Sequence, residues 1–255
     1  MISIMYQKAH TSKRQKGAAL LLVLWVIAIL GAVSIGVLTN LRIETLQGYN
    51  ELQRSKALIA AEGGIDMAVK MLVSDSGDLV PSGDIFPFEL DGIRITVRVR
   101  SEHGKLDINF CQLDSFSSLL LYFGATPQQS TSITNQLYER RNQAKPLRHL
   151  EELMDFSPMS DELYEKIQPF ITLWSGRGVP DAAYTAEPLR QALQLKTLNG
   201  VMSNPGSVVA IESYAKLKDG FEAGLRTVVM IGATGDRDQL YSVYRWKEIS
   251  SIIGL

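Results

Sequence analysis

The sequence is short of the side chains on which most catalytic and metal sites are built. It has one cysteine, Cys111, and three histidines, His10, His103 and His149, in 255 residues. A single cysteine excludes an intrachain disulfide, and the thiol reads as a small buried hydrophobe. A nucleophile would need a base oriented beside it, and His103 offers nearness in sequence only. There is no glycine-rich phosphate loop, zinc-ligand spacing or nucleophile elbow. A membrane-anchored enzyme therefore has no constellation to work with, and the chain reads as non-enzymatic. Basic charge is scarce outside one place. The first 17 residues carry Lys8, Lys13, Arg14 and Lys16 and no acid. Beyond them 22 basic residues face 27 acidic ones, a net charge of −5. A mildly acidic body argues against broad nucleic-acid binding, which needs basic surface to neutralise phosphates.

The next absence is of charge. Ala18 to Leu38 contains no ionisable residue over 21 positions. At ~1.5 Å per residue the run spans about 31 Å as a helix, matching a hydrocarbon core of ~30 Å. A core helix of a soluble domain is rarely so uniformly apolar. The preceding Lys and Arg residues place the N-terminus in the cytoplasm and the remainder across the membrane. A cleaved secretory signal has a shorter apolar region, about 7–15 residues, and a small-x-small cleavage site. Here the helical pattern continues instead. Leu41, Thr45, Leu52, Leu58, Ile59, Ile65, Met67, Val69 and Leu72 recur at roughly helical spacing, with Arg42, Glu44, Glu51, Arg54, Lys56 and Glu62 between them. The helix should run to about Val73, before the Ser74–Gly77 breaker. Gly48, Gly63 and Gly64 should weaken it locally.

The soluble part reads in three regions. Ile85, Phe86, Phe88 and Leu90 lead into Asp91-Gly92, a strong hairpin signal. Ile93, Ile95, Val97 and Val99 then alternate with Arg94, Thr96, Arg98 and Arg100, which predicts one buried face and one basic, solvated face over residues 84–100. Residues 104–200 read as mostly helical, with helices over 115–123, 128–141, 146–154 and 160–167. The alternation resembles paired helix-hairpin-helix units. A phosphate-gripping hairpin uses glycines to turn backbone N–H groups outward. Phe156-Ser157-Pro158-Met159-Ser160 has none, and its Pro removes a donor. The cluster Arg140, Arg141, Lys145, Arg148 and His149 therefore reads as solvated or protein-facing. Strands return over 207–215, 225–231 and 240–246. Trp174 and Trp246 read as core residues, and Trp25 lies in the span.

Several segments are similar to the minor pseudopilin K family of type II secretion systems, a branch of the type IV prepilin-like proteins. Lys13-Arg14-Gln15-Lys16-Gly17 followed by Ala18-Ala19-Leu20-Leu21-Leu22-Val23-Leu24-Trp25 resembles the family's basic leader and first helical turns. Ala57 to Ile65 resembles its Ala-rich helix segment. Gly104-Lys105-Leu106-Asp107-Ile108-Asn109 resembles a Gly-Lys-x-x-Ile-Asn element. Leu147 to Trp174, Ala223 to Val229 and Tyr244-Arg245-Trp246 resemble later stretches. The likeness implies an α+β fold: a long N-terminal helix on an antiparallel sheet, with an inserted all-α helix-hairpin-helix or SAM-like domain. It implies a leader at 1–17, a pilin-type helix at 18–75 with 18–38 in the membrane, an α+β domain at 76–103 and 201–255, and the insertion at 104–200.

The resemblance also implies processing and partners. A prepilin peptidase would cut between Gly17 and Ala18, and the Ala18 amine would be methylated, with Lys13, Arg14 and Lys16 as the leader charges. A residue without Cβ lets a foreign active site approach the bond. Most pilins and pseudopilins carry Glu at the fifth mature position, thought to pair with a neighbour's N-terminal amine; here Leu22 stands there. A carboxylate in lipid is costly unless paired, and a subunit at the tip has no subunit ahead of it. The implied role is a minor pseudopilin at the pseudopilus tip, working with the I, J and H types and the major pseudopilin. It would be held by one span in the inner membrane with a periplasmic globular domain. The alternative is a minor pilin of a type IV pilus or DNA-uptake system, for which Arg140, Arg141, Lys145 and Arg148 would matter. No cofactor is implied beyond calcium, which some members of the family bind. The oxygen-rich turns Ser74–Asp78 and Gly235–Asp238 have suitable chemistry, but the family's ligand motif has no residue-by-residue match here.

Overall fold

The computed structural model describes residues 15–74, 80–196, 204–232 and 241–249, with side chains from residue 19 onward. Lys13 and Arg14 lie outside the described residues, as do 75–79 and 233–240, which hold most of the two acidic turns. Lys16, Gly17 and Ala18 belong to the start of the first helix, their side chains undescribed. The chain divides into two compact units, residues 1–53 and 54–255.

Helix α1 runs over Gln15–Val73, 59 residues. In the first unit its side chains are exposed almost throughout, Leu20, Leu22, Trp25 and Ile35 each by about two-thirds or more. Among the described residues this is the one helix long and apolar enough to cross a membrane. Its hydroxyls are folded back onto the helix: Ser34 donates to Leu30 O, Thr39 to Ile35 O and Thr45 to Leu41 O, at 2.7–2.8 Å. These three hydroxyls thus find their acceptors within the helix, which is how an apolar surrounding is tolerated.

In the second unit five strands form one antiparallel sheet in the order β1 (Ser82–Leu90), β2 (Ile93–Ser101), β5 (Val208–Lys216), β6 (Glu222–Ile231) and β7 (Tyr241–Ile249). The β1–β2 hairpin closes on Asp91 and Gly92, with φ of 50° and 75°, so the Asp-Gly signal becomes a type I′ turn. Pro87 sits in β1, an edge strand, where its missing N–H costs no ladder bond. Between β2 and β5 the chain leaves the sheet. It forms the two-residue β3 (Leu106–Asp107), α2 (Leu113–Tyr122), α3 (Pro127–Asn142), a 3-10 turn over Leu150–Asp155, α4 (Asp161–Ile167), β4 (Ile171–Thr172) and α5 (Glu187–Ala192). β3 and β4 pair in parallel. This block has its own core, centred on Phe116, Leu119, Leu120, Ile133, Leu137, Leu153 and Ile167.

One sheet face packs on α1. Ala57, Ala60, Ala61, Gly64, Ile65, Ala68 and Val69 of the helix are buried against Ile95, Val97, Val99, Val209, Ile211, Leu225 and Val229. The expected apolar stripe is thus realised mostly by small residues. Ile59 is 68% exposed and Met67 half-buried, because at ~3.6 residues per turn they fall off the sheet-facing side of the helix. Gly64 marks the closest approach: a Cβ there would sit 2.6 Å from Ile95 Cγ2 and would strike Ser213 Oγ. What reads in sequence as a weak point of the helix is a packing requirement.

Three further expectations are corrected. The Arg-bearing face of the hairpin is not solvated. Arg94 is exposed, but Arg98 is buried and Arg100 half-buried, because the inserted block covers that face through Trp174, which packs on Val208, Ala210 and Val228. Residues 146–149 are not helical. The turn begins at Leu150, capped by His149, whose N–H donates to Glu152 Oε1. Trp246 is 43% exposed on the edge strand β7 rather than in the core.

Gly63→Ala and Gly64→Ala separate helix propensity from packing. The first has only Leu90 Cδ2 near its new Cβ, at 3.6 Å, and should gain up to ~1 kcal/mol of stability. The second should lose about 1–3 kcal/mol through overpacking. Thermal unfolding of the two variants measures the difference, and equal effects would refute the close approach. A second test concerns Tyr214, whose hydroxyl donates to Glu222 Oε2 at 2.6 Å. That bond to a carboxylate, with some burial, pushes the phenol up to about 12. The folded state therefore holds this proton more tightly than the unfolded chain. Stability from the bond is complete below the unfolded pKa of ~10 and is lost as pH rises through about 12. Ultraviolet titration of the protein against Tyr214→Phe isolates this phenol, and Glu222→Gln should bring it down toward ~10.

Candidate functional site

Two regions carry the side chains that define this protein: the 104–109 element that seats the inserted block, and the charged seam between that block and the sheet. In the first, each residue has a structural task. Gly104 lies under Tyr184, whose carbonyl leaves no room for a Cβ. Lys105 pairs with the fully buried Glu102. Leu106 and Ile108 enter the block's core. Asp107, itself fully buried, accepts from the Asn109 N–H (3.0 Å), the Gly176 N–H (2.8 Å) and the Ser175 hydroxyl (3.2 Å). Burial pushes its carboxyl up, and the hydrogen bonds pull it back only in part. Asn109 grips Leu147 from both sides, donating to its carbonyl and accepting from its N–H, both at 2.9 Å. The element closes the block by tying its first residues to segments 38 and 69 positions away.

Arg140 and Arg141, two of the five residues in the basic cluster seen in sequence, are used internally. Arg140 pairs with Glu152 and donates to Lys145 O at 3.2 Å. Arg141 donates to the carbonyls of Ile108 and Cys111. Lys145, Arg148 and His149 remain exposed. The hairpin's backbone is also occupied. The Ser157 N–H donates to Gln136 Oε1 at 3.2 Å and the Met159 N–H to Phe156 O at 2.6 Å, while Ser157 O accepts from Ser132 and Gln136. These N–H groups are not presented to a phosphate.

No catalytic grouping forms from the described candidates. Cys111 is buried, with its sulfur 3.3 Å from Arg141 Nη2, and burial pushes the thiol up, away from a reactive thiolate. His103 faces Asn204 O at 3.3 Å instead. Among the described residues no group of three or more His, Cys, Asp or Glu is placed to hold a metal ion.

The seam was not legible in sequence. Arg98, Glu212 and Arg226 are cross-strand neighbours in β2, β5 and β6. Glu212, 4% exposed, pairs with Arg226 and lies 3.8 Å from Arg98. At the edge Arg245 of β7 pairs with Glu151, and Tyr244 stacks on Trp174 at 6.3 Å between ring centres. The signal was the alternation of β2 and the lone Glu212 in an apolar strand, but the register that brings them together is tertiary.

No family model and no curated protein sequence matches the chain. The structure is similar to a chain in the crystal structure of the GspK-GspI-GspJ complex from the enterotoxigenic Escherichia coli type 2 secretion system. The TM-score is 0.58 and the identity 14%, over 82% of this chain and 100% of that one. The fold is thus a pilin-like α+β fold, a long N-terminal helix on an antiparallel sheet with additional helices. It is the fold of that chain of the GspK-GspI-GspJ complex.

Asn109→Ala should cost about 1–3 kcal/mol by stranding two buried backbone groups of Leu147. Hydrogen exchange should show the loss first in the 104–174 block. Unchanged protection of the Leu147 amide would refute the clamp.

Proposed function

We propose that the chain is a minor pseudopilin of a type II secretion system that joins other minor pseudopilins at the pseudopilus tip and starts its assembly. The observation that carries this reading is that the likeness spans all of the matched GspK-GspI-GspJ chain, although sequence identity is low. A role in assembly also suits a chain whose first helical stretch presents apolar side chains on all sides.

In this reading residues 1–17 are a leader removed by a prepilin peptidase, and the mature chain begins at a methylated Ala18. Residues 18–38 span the inner membrane, with the N-terminus cytoplasmic and residues 54–255 periplasmic. The inserted block, 104–200, is the part that ordinary pilin architecture lacks, and it would cap the assembly. Its partners are pseudopilins of the I, J and H types and the major pseudopilin. Leu22, in place of the usual Glu, fits a subunit with none ahead of it: a carboxylate there would lie unpaired in lipid.

Intact mass and N-terminal sequencing of the membrane-extracted chain, made with and without a prepilin peptidase, test the reading. The expected product is a chain starting at methylated Ala18 only when the peptidase is present. Gly17→Val should block processing. Co-purification with I- and J-type partners from the same membranes then separates a type II secretion role from a type IV pilus role. An unprocessed Met1 start, or cleavage near residue 38, would overturn the assignment.

A further inference from the structure

The seam between the inserted block and the sheet holds a partly open cavity of about 30 Å³. Its walls carry Arg100, Lys105, Arg226 and Arg245 against one lining carboxylate, Glu212, with apolar cover from Trp174. Arg98, buried beside Glu212, adds another cation. Among the described residues three carboxylates pair with these cations: Glu102 with Lys105, Glu151 with Arg245, and Glu212 with both Arg226 and Arg98. Arg100 forms no ion pair among the described residues. The charges acting on it are Glu212, which attracts, and Arg98 and Arg226, which repel, while burial pulls its guanidinium below the usual value. Among the described residues the seam therefore holds five cations against three carboxylates around a partly open space. Burying charge without compensation is costly, and proteins of this size are stable by only a few kcal/mol.

We propose that this cavity is a binding site for a small monovalent anion of chloride size, which completes the charge balance of the seam and couples docking of the inserted block to the sheet. Size selects the ligand. A water-sized occupant needs about 10–15 Å³ of such space, so a cavity of about 30 Å³ admits two or three such bodies, room for a small ion with a water beside it and too little for a nucleotide or a sugar. The wall chemistry agrees. Guanidinium groups are weakly hydrated cations, and with the Trp174 ring beside them they suit a weakly hydrated halide better than a strongly hydrated oxyanion. The site draws ligands from both layers, Lys105 from the block and Arg100, Arg226 and Arg245 from the sheet. An occupant would hold the two together. This inference stands whether or not the chain is a pseudopilin.

The test uses the full chain in non-ionic detergent. Thermal unfolding is followed by tryptophan fluorescence in sodium chloride series balanced with sodium gluconate at constant ionic strength. This holds general screening fixed, and gluconate is too large to enter. The expected result is a saturable rise in the midpoint of about 2–4 °C with chloride, reproduced by bromide and lost in Arg100→Met whatever that variant's own midpoint. Line broadening of the chloride NMR signal by the unsubstituted protein, relieved by bromide, gives a reading that needs no variant. Equal midpoints in chloride and gluconate, no broadening, or an undiminished chloride shift in Arg100→Met would each overturn the proposal.

Discussion

The structure depends on one sheet being buried on both faces. A five-stranded antiparallel sheet usually keeps one face for water, and here that face is taken by the inserted block. The consequence runs through every layer. The face toward α1 is mostly apolar, with Ser213 and Thr227 as buried polar exceptions. It is packed so closely that the helix offers it Ala57, Ala60, Ala61, Gly64 and Ala68. The opposite face keeps charges that a solvated sheet would carry without penalty, and they must be balanced inside. Arg98, Glu212 and Arg226 form a cross-strand row because they share that face in register, and Trp174 and Tyr244 close its edge.

The inserted block is self-sufficient in core but needs a fixed mount. The 104–109 element supplies one with two short-range devices, the Asp107 carboxylate and the Asn109 amide, each satisfying backbone groups distant in sequence. Buried polar side chains of this kind contribute only when every partner is in place. This accounts for a compact run of mixed glycine, charged and apolar residues with no catalytic role. The same logic applies in the basic cluster at 140–149: Arg140 and Arg141 act as internal struts, and the Ser157 N–H of the hairpin is held by Gln136.

Much of the architecture was legible in sequence. The long helix was placed by an uncharged run and a continued helical period, and its end at Val73 by the breaker that follows. The β1–β2 hairpin was placed by Asp91-Gly92 between alternating segments. The later strands fell within a few residues of their observed ends. These are local signals, set by backbone sterics and by the periodicity of apolar residues. The short helix at 146–154 failed because its early residues are held instead by Asn109 through Leu147, and Trp246 failed because an apolar flank does not reveal that its strand is an edge.

The sequence by itself determined the long apolar helix, the order of elements and the class of fold, because hydrophobic period and turn chemistry act over a few residues. Only the tertiary structure decided which face each charge would occupy and what would cover it. The burial of Arg98, the cavity beside Arg100, the Gly64 contact and the internal use of Arg141 all depend on residues 30 or more positions apart meeting across layers. Such meetings are fixed by packing and register, and no local pattern encodes them.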